Sequence, residues 1–323
     1  SILFTNRFRP AAHSVNRIHA ADFQRSPIML IRDKIETIHL TDAEQAVARL
    51  ILSKGAAIES MTARDIASEA GTVPSLISRF SRKLGYDGWN TFRREWVKES
   101  SYLMKTNQKI DANLPFAPVD GINEVSSKLS SLMEQSIQET HSLLDFGNLQ
   151  KAADFLCRSS CIYCLGVSSN AWLLESFASK MRKIGRPVQT VTTQGEFQFS
   201  LSTLRPGDCI LAVSYSGSTP VILDALETIP GYLSVPVILL TSMGANPLRA
   251  YADAVLEIST REKLYSKVGP FTTETSVSYL LSLLYSCVFQ NNPSRNYEFK
   301  VTLSRSIETR RKSDVTIISE DEE

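Results

Sequence analysis

Asp208-Cys209-Ile210-Leu211-Ala212-Val213-Ser214-Tyr215-Ser216-Gly217-Ser218-Thr219-Pro220 changes character halfway along. Cys209 to Val213 is a short apolar run behind Pro206-Gly207, the pattern of a buried strand. From Pro220 to Leu226 the apolar residues take helical spacing, with Thr219 placed as N-cap and Pro220 at the first helical position. The turn between them joins the carboxyl end of a strand to the amino end of a helix. Backbone N–H groups lack helical partners there, and the helix dipole is positive. Ser214, Ser216, Ser218 and Thr219 add hydroxyls, and Gly217 lets the backbone approach closely. Such a turn suits a phosphate or a phosphorylated ligand. Taken alone, it also reads as a well-capped connection.

Around this turn, strand-like and helix-like runs alternate. Strands are expected at 161–165, 187–192, 208–213, 235–240 and 254–258. Helices are expected at 149–157, 171–184, 196–204, 219–228, 247–252 and 273–289. This alternation predicts an α/β domain, a doubly wound parallel sheet with helices on both faces, which we bound at residues 122–292. Ligands of such sheets bind at the carboxyl ends of the strands. Gly166-Val167-Ser168-Ser169-Asn170 and Thr241-Ser242-Met243-Gly244-Ala245-Asn246 are two more polar turns in the same setting. Ser168, Ser169 and Asn170 are candidate partners of the same ligand.

Upstream, residues 29–100 are helical in pattern. Thr41-x-x-Glu44 is a capping box ahead of the apolar face Leu40, Ala43, Val47, Leu50 and Ile51, and Gly55 ends that helix. Thr62-x-x-Asp65 opens a second helix, Gly71-Thr72 turns the chain with Thr72 free to cap, and Pro74 opens a third helix running to Leu84. Two short helices about a tight glycine turn make a helix-turn-helix. Ile77, Phe80 and Leu84 share the inner face of the third helix. Ser75, Ser78, Arg79 and Arg82 lie opposite with Lys83 beside them, hydroxyls and cations suited to phosphate contacts and guanine edges in a major groove. A solvated cationic face has the same pattern. Trp89, Phe92 and Trp96 point inward on the next helix, while Arg93 and Arg94 project.

Residues 1–28 carry Arg7, Arg9, Arg17 and Arg25 against the single acid Asp22, with no sustained apolar period. They read as a disordered extension; a DNA-touching arm or a targeting segment shares the composition. Residues 101–121, with Pro115 and Pro118, read as a linker. The helix from 122 to 144 has Val125, Leu129, Leu132, Met133, Ile137 and Leu144 near one stripe. Residues 293–323 read as a C-terminal helix and charged tail. The stripe on 122–144, and Val277, Leu280, Leu281, Leu284 and Val288 on the long apolar helix, are candidate association surfaces for a homodimer or homotetramer.

Composition sets wider limits. The chain has 323 residues, 43% hydrophobic and 21% charged, with a formal net charge of +1, so any nucleic-acid contact must use a local basic face. No apolar run reaches bilayer length, which implies no membrane partner and a cytoplasmic location. Cys161-x-x-Cys164 falls in an expected strand, where an offset of three points to opposite faces. No second pair or histidine cluster completes a metal site, and no cofactor is implied.

Ser214-x-Ser216-Gly217-x-Thr219 resembles the phosphosugar-binding motif of sugar-isomerase (SIS) domains. The upstream residues Ile66-Ala67-x-x-Ala70-Gly71 and Ile77-x-Arg79-Phe80-x-x-Lys83-Leu84-Gly85-Tyr86-x-Gly88 resemble the helix-turn-helix of the MurR/RpiR family of bacterial transcriptional regulators. The resemblance implies a sequence-specific DNA-binding regulator controlled by a phosphorylated sugar. Its DNA partner would be a double-stranded operator. Four positions depart from the family pattern. Val73 and Leu76 replace the usual Ser and Thr near the recognition helix, and in the first ligand turn Ser168 replaces a Gly and Asn170 stands where Ser is usual. An isomerase with an accessory helical domain is the alternative. It would need a general base, and residues 151–323 contain no histidine, leaving Glu196 and Glu274 as candidates. Arg79, Arg82 and Lys83 favour the regulator, without catalytic residues. A DNA-binding scaffold with an empty pocket is the third reading.

Overall fold

A computed structural model describes residues 30–106, 110–191, 193–230 and 233–309. The expectations for 1–28 and for the charged tail beyond 309 lie outside the described residues.

Five helices come first: α1 Ile31–Thr37, α2 Asp42–Lys54, α3 Ala63–Glu69, α4 Pro74–Lys83 and α5 Trp89–Thr106. Both capping boxes form. Thr41 accepts from Glu44 N while Glu44 accepts from Thr41 N, and Thr62 and Asp65 do the same. Gly55, with φ +53°, ends α2. Ile51, Ile58, Ile66, Ile77, Phe80, Phe92 and Trp96 are fully buried in one core, as the helical spacing predicts. Thr72 does not cap α4. The N-cap is Val73 and makes no side-chain cap bond, because Pro74 already fixes the first turn.

The rest is α6 Ile122–Ser142, α7 Phe146–Arg158, β1 Ile162–Gly166, α8 Ser169–Arg182, β2 Val188–Val191, α9 Phe197–Leu201, β3 Cys209–Ser214, α10 Pro220–Glu227, β4 Val237–Ser242, β5 Ala254–Ile258, α11 Phe271–Asn291 and α12 Pro293–Ile307. The strands pair in the order β2-β1-β3-β4-β5, all parallel. Strand alternation divides the core: Cys209, Leu211 and Val213 pack under α7, α8 and α11, while Ile210 and Ala212 pack under α9 and α10. β1, β3 and β4 are buried along their whole length and the edge strands β2 and β5 only in part. The expected helix at 247–252 is a 3₁₀ turn, Pro247–Tyr251, too short for a stable α-helical ladder.

One expected surface is corrected, and a second is narrowed to its exposed residues. Val277, Leu280, Leu281, Leu284 and Val288 of α11 are buried against the sheet, so they serve the core and not association. On α6 the inward face carries Leu132, Ser136, Glu139 and Thr140, while Ile122, Met133 and Ile137 are exposed. Polar residues can face inward because they are satisfied there. Ser136 and Thr140 hydroxyls donate to the carbonyls of Leu132 and Ser136 at 2.6 and 2.7 Å, and Glu139 takes Ser259 Oγ at 2.7 Å and Arg261.

The helical domain rests on the α/β domain. Lys98 of α5 pairs with Glu257 of β5, which also takes Arg249 at 2.6 Å. Leu30 and Leu103 pack on Leu143 and Met243. Burial pushes the Glu257 carboxyl up, but Arg249 and Lys98 outweigh it and hold it below the usual range.

Candidate functional site

In a sheet ordered 2-1-3-4-5, the crevice falls between β1 and β3, where the connections diverge to opposite faces. The turns at 166–170 and 214–219 flank that crevice, following paired strands in which Gly166 is level with Val213. The β3 turn is tightly organised. Ser214 is 2% exposed; its hydroxyl meets Thr219 Oγ1 at 2.7 Å and accepts from Gly217 N at 3.0 Å. Ser216 Oγ accepts from Ser218 N at 3.2 Å. Ser214 therefore holds the turn in shape, while Ser216, Ser218 and Thr219 are partly exposed. Thr219 occupies the N-cap position without a side-chain cap bond, its hydroxyl being spent on Ser214.

Gly217 is demanded by geometry. Its φ is +61°, and a Cβ there would lie 2.0 Å from Asn246 Cγ. Asn246, from the β4 turn, is 2% exposed; its Nδ2 donates to Thr241 Oγ1 at 3.2 Å, and its Oδ1 is buried without a partner. Leu248 N donates to Gly217 O at 2.9 Å and Ser242 N to Tyr215 O at 3.2 Å, lacing the two turns together. Sequence reasoning placed the β4 turn on the same rim but did not select Asn246. A buried amide over a glycine is a tertiary feature with no local signal.

In the β1 turn, Ser168 adopts φ +56°, ψ −133°, the conformation that its usual glycine would take without strain. Ser168 is exposed, Ser169 and Asn170 are partly so, and the Asn170 Oδ1 atom is buried without a partner. Glu262 was not selected either. Its carboxylate is buried and accepts from Thr272 N and Oγ1 at 2.6 and 2.8 Å, Thr273 N and Oγ1 at 3.1 and 2.6 Å, and Lys267 Nζ at 2.8 Å. Burial pushes this carboxyl up, but Lys267 and the two threonines outweigh it and hold it below the usual range. The candidate bases stand otherwise: Glu196 is exposed on the stretch after β2, and Glu274 lies in the first turn of α11.

On α4, Ser75, Arg79 and Arg82 are exposed and Ser78 is half-buried. Lys83, also exposed and beside that face, reaches toward α2, where its Nζ meets Glu44 Oε2 at 2.7 Å. Arg93, expected to project, donates to Met61 O at 2.8 Å. Cys161 and Cys164 pack in cores on opposite faces of the sheet. Among the described residues no cluster is placed to hold a metal, and no helix is long and apolar enough to cross a membrane.

A helix-turn-helix with a cationic outer helix, joined to a parallel sheet with a hydroxyl turn at its switch point, defines a DNA-binding regulator with a ligand-binding domain. Residues 29–102 match the helix-turn-helix domain of the rpiR family, and residues 155–286 match the SIS domain. The chain belongs to the RpiR family of helix-turn-helix regulators carrying a SIS domain. An uncharacterized HTH-type transcriptional regulator of Caldanaerobacter subterraneus subsp. tengcongensis is 25% identical over 250 residues, 77% of this chain and 86% of that protein. The Vibrio vulnificus NanR protein, solved in complex with ManNAc-6P, has a TM-score of 0.54 at 20% identity, covering 88% of this chain and 98% of that one. The sugar isomerase domain of an RpiR transcription factor from Sphaerobacter thermophilus has a TM-score of 0.50 at 20% identity, covering 56% and 99%. At these identities the structural likeness speaks for the fold.

Proposed function

We propose that this regulator reads a double-stranded operator through Ser75, Ser78, Arg79 and Arg82 of α4, and that a phosphorylated sugar at the β1/β3 crevice sets its affinity for that operator. The observation that carries the reading is the β3 turn. Its shape is held from within by Ser214, and it offers Ser216, Ser218 and Thr219 at the amino end of α10. Ser168, Ser169 and Asn170 face the same crevice from the β1 side and meet the sugar hydroxyls. Lys83 supports the fold of the DNA-binding domain through Glu44.

The domain acts by binding, without turnover. The Glu262 carboxylate is fully engaged at the start of α11, and Glu274 sits where the helix dipole favours an acid without any catalysis. The exposed Met133 and Ile137 of α6, with Trp172 of α8, form the association surface of a homodimer or homotetramer. Paired helix-turn-helices would then read half-sites about 34 Å apart or multiples of that.

A thermal-shift screen of the full chain against sugar phosphates, N-acetylmannosamine 6-phosphate among them, tests the reading. A ligand at 100 times its Kd adds about 2.7 kcal/mol. No shift with any phosphorylated sugar would remove the effector from this reading, and conversion of an aldose phosphate to a ketose phosphate would replace it with the isomerase.

A further inference from the structure

Tyr215 stands inside the β3 turn, but its phenol reaches out of it. The hydroxyl donates to Glu262 O at 2.6 Å and accepts from Glu262 N at 3.0 Å, and Lys267 Nζ lies 5.0 Å from the ring centroid. One hydroxyl therefore fixes the peptide groups on both sides of Glu262, whose carboxylate anchors the start of α11.

The neighbours of Glu262 hold the segment that joins the two domains. The Arg261 guanidinium donates to Ile110 O, and the Arg261 carbonyl accepts from Asn113 Nδ2 at 3.2 Å. Lys263 N donates to Asn113 Oδ1 at 2.6 Å, and Val268 N donates to Asn113 O at 3.0 Å. Asp111 Oδ1 in turn accepts from Asn113 N at 2.8 Å, and Ala112 is 2% exposed. The connection between the domains thus rests on residues 261–268, and those residues rest on Tyr215.

We propose that Tyr215 is the positioning residue through which occupancy of the β3 turn reaches residues 110–113, and through them the DNA-reading domain, by way of Glu262 and Asn113. A ligand held by Ser216 and Ser218 moves the backbone that carries Tyr215. The phenol carries that movement to Glu262, because both bonds to its hydroxyl are made or lost together. The identity of the ligand rests on the sugar-phosphate reading above; the mechanical link does not.

The test is amide hydrogen exchange on the full chain, wild type against Tyr215→Phe, which keeps the ring and its packing. Without ligand, the variant should exchange about ten-fold faster at Glu262, Lys263 and Val268, as expected for loss of a hydrogen bond, with β3 and β4 unchanged. Unchanged exchange at those amides, or faster exchange spread through β3 and β4, overturns the proposal. The second arm adds N-acetylmannosamine 6-phosphate or glucose 6-phosphate, with inorganic phosphate as control. A probe that protects 214–219 in both proteins should alter exchange at 110–113 in the wild type only, and Asn113→Ala should abolish that response while keeping the protection at 214–219. A linker response in Tyr215→Phe equal to wild type overturns the link. If neither probe protects 214–219 in the wild type, the sugar phosphate giving the largest thermal shift replaces them; if none gives a shift, the sugar-phosphate reading falls, and the ligand-free arm still decides the role of Tyr215.

Discussion

The outer face of α4, with hydroxyls and arginines, and the hydroxyl-lined rim of the sheet are both polar ligand-facing surfaces of this reading, but they are organised in opposite ways. On α4 the arginines stand in solvent and Ser75 is free of the core; the helix supplies spacing and little else. At the rim, Ser214 is bonded to Gly217 and Thr219, and Asn246 packs over Gly217. A long polyanion can be met by mobile charges whose strength comes from released counterions. A small ligand must recover its ordering cost from a few aimed hydrogen bonds, which favours a preformed site.

If the rim is as tightly built as this contrast holds, Gly217→Ala should be the most damaging change. The substitution combines a positive φ with a Cβ that has no room beside Asn246, and should cost about 2–4 kcal/mol in urea denaturation. A loss below about 0.5 kcal/mol would mean the turn is soft. Ser216→Ala should leave the fold nearly intact and weaken sugar-phosphate binding by about ten-fold or more, the worth of a hydrogen bond to a charged group; titration calorimetry would measure it. Arg79→Ala and Arg82→Ala should each cost about 1–3 kcal/mol of operator affinity where a guanine edge is read, and flatten the salt dependence where only phosphate is touched. Neither should alter sugar-phosphate binding, and an effect on both ligands would erase the contrast.

Two smaller effects sharpen it. Ser168→Gly relieves a strained backbone, so the melting temperature should rise by about 2 °C, near 1 kcal/mol, while effector affinity falls. A rise in both would show that the Ser168 hydroxyl has no ligand. The domain contact should also depend on pH. The folded-state pKa of Glu257 is depressed below the usual 4.5, so its contribution is complete above that range and is lost as pH falls through the lower folded value. Stability of the wild type should therefore fall across that acidic window, and Glu257→Gln should flatten this part of the dependence; urea denaturation at each pH measures it.

The helix-turn-helix was almost wholly legible, since capping boxes, a glycine turn and the 3.6 period are local signals, and all three appear where they were read. The glycine motif at the rim was legible for the same reason. The roles within these sites were less so. Lys83 lies one residue from Arg82 and has the same composition signal, but 100° of helix rotation brings it to Glu44. On α6 the apolar stripe does not mark the inner face: Met133 and Ile137 stay exposed, while Ser136, Glu139 and Thr140 are held inside by partners distant in sequence or by their own helix.

What the sequence by itself determined is the element order, the two domains' fold classes and the position of the hydroxyl turn, because each depends on residues within one or two turns of chain. Only the tertiary structure decided that Ser214 supports the turn, that Asn246 closes over Gly217, and that Tyr215, Glu262 and Asn113 meet. The Asn246, Tyr215, Glu262 and Asn113 contacts join residues on separate elements, and no local period or propensity records which elements the folded core will bring together.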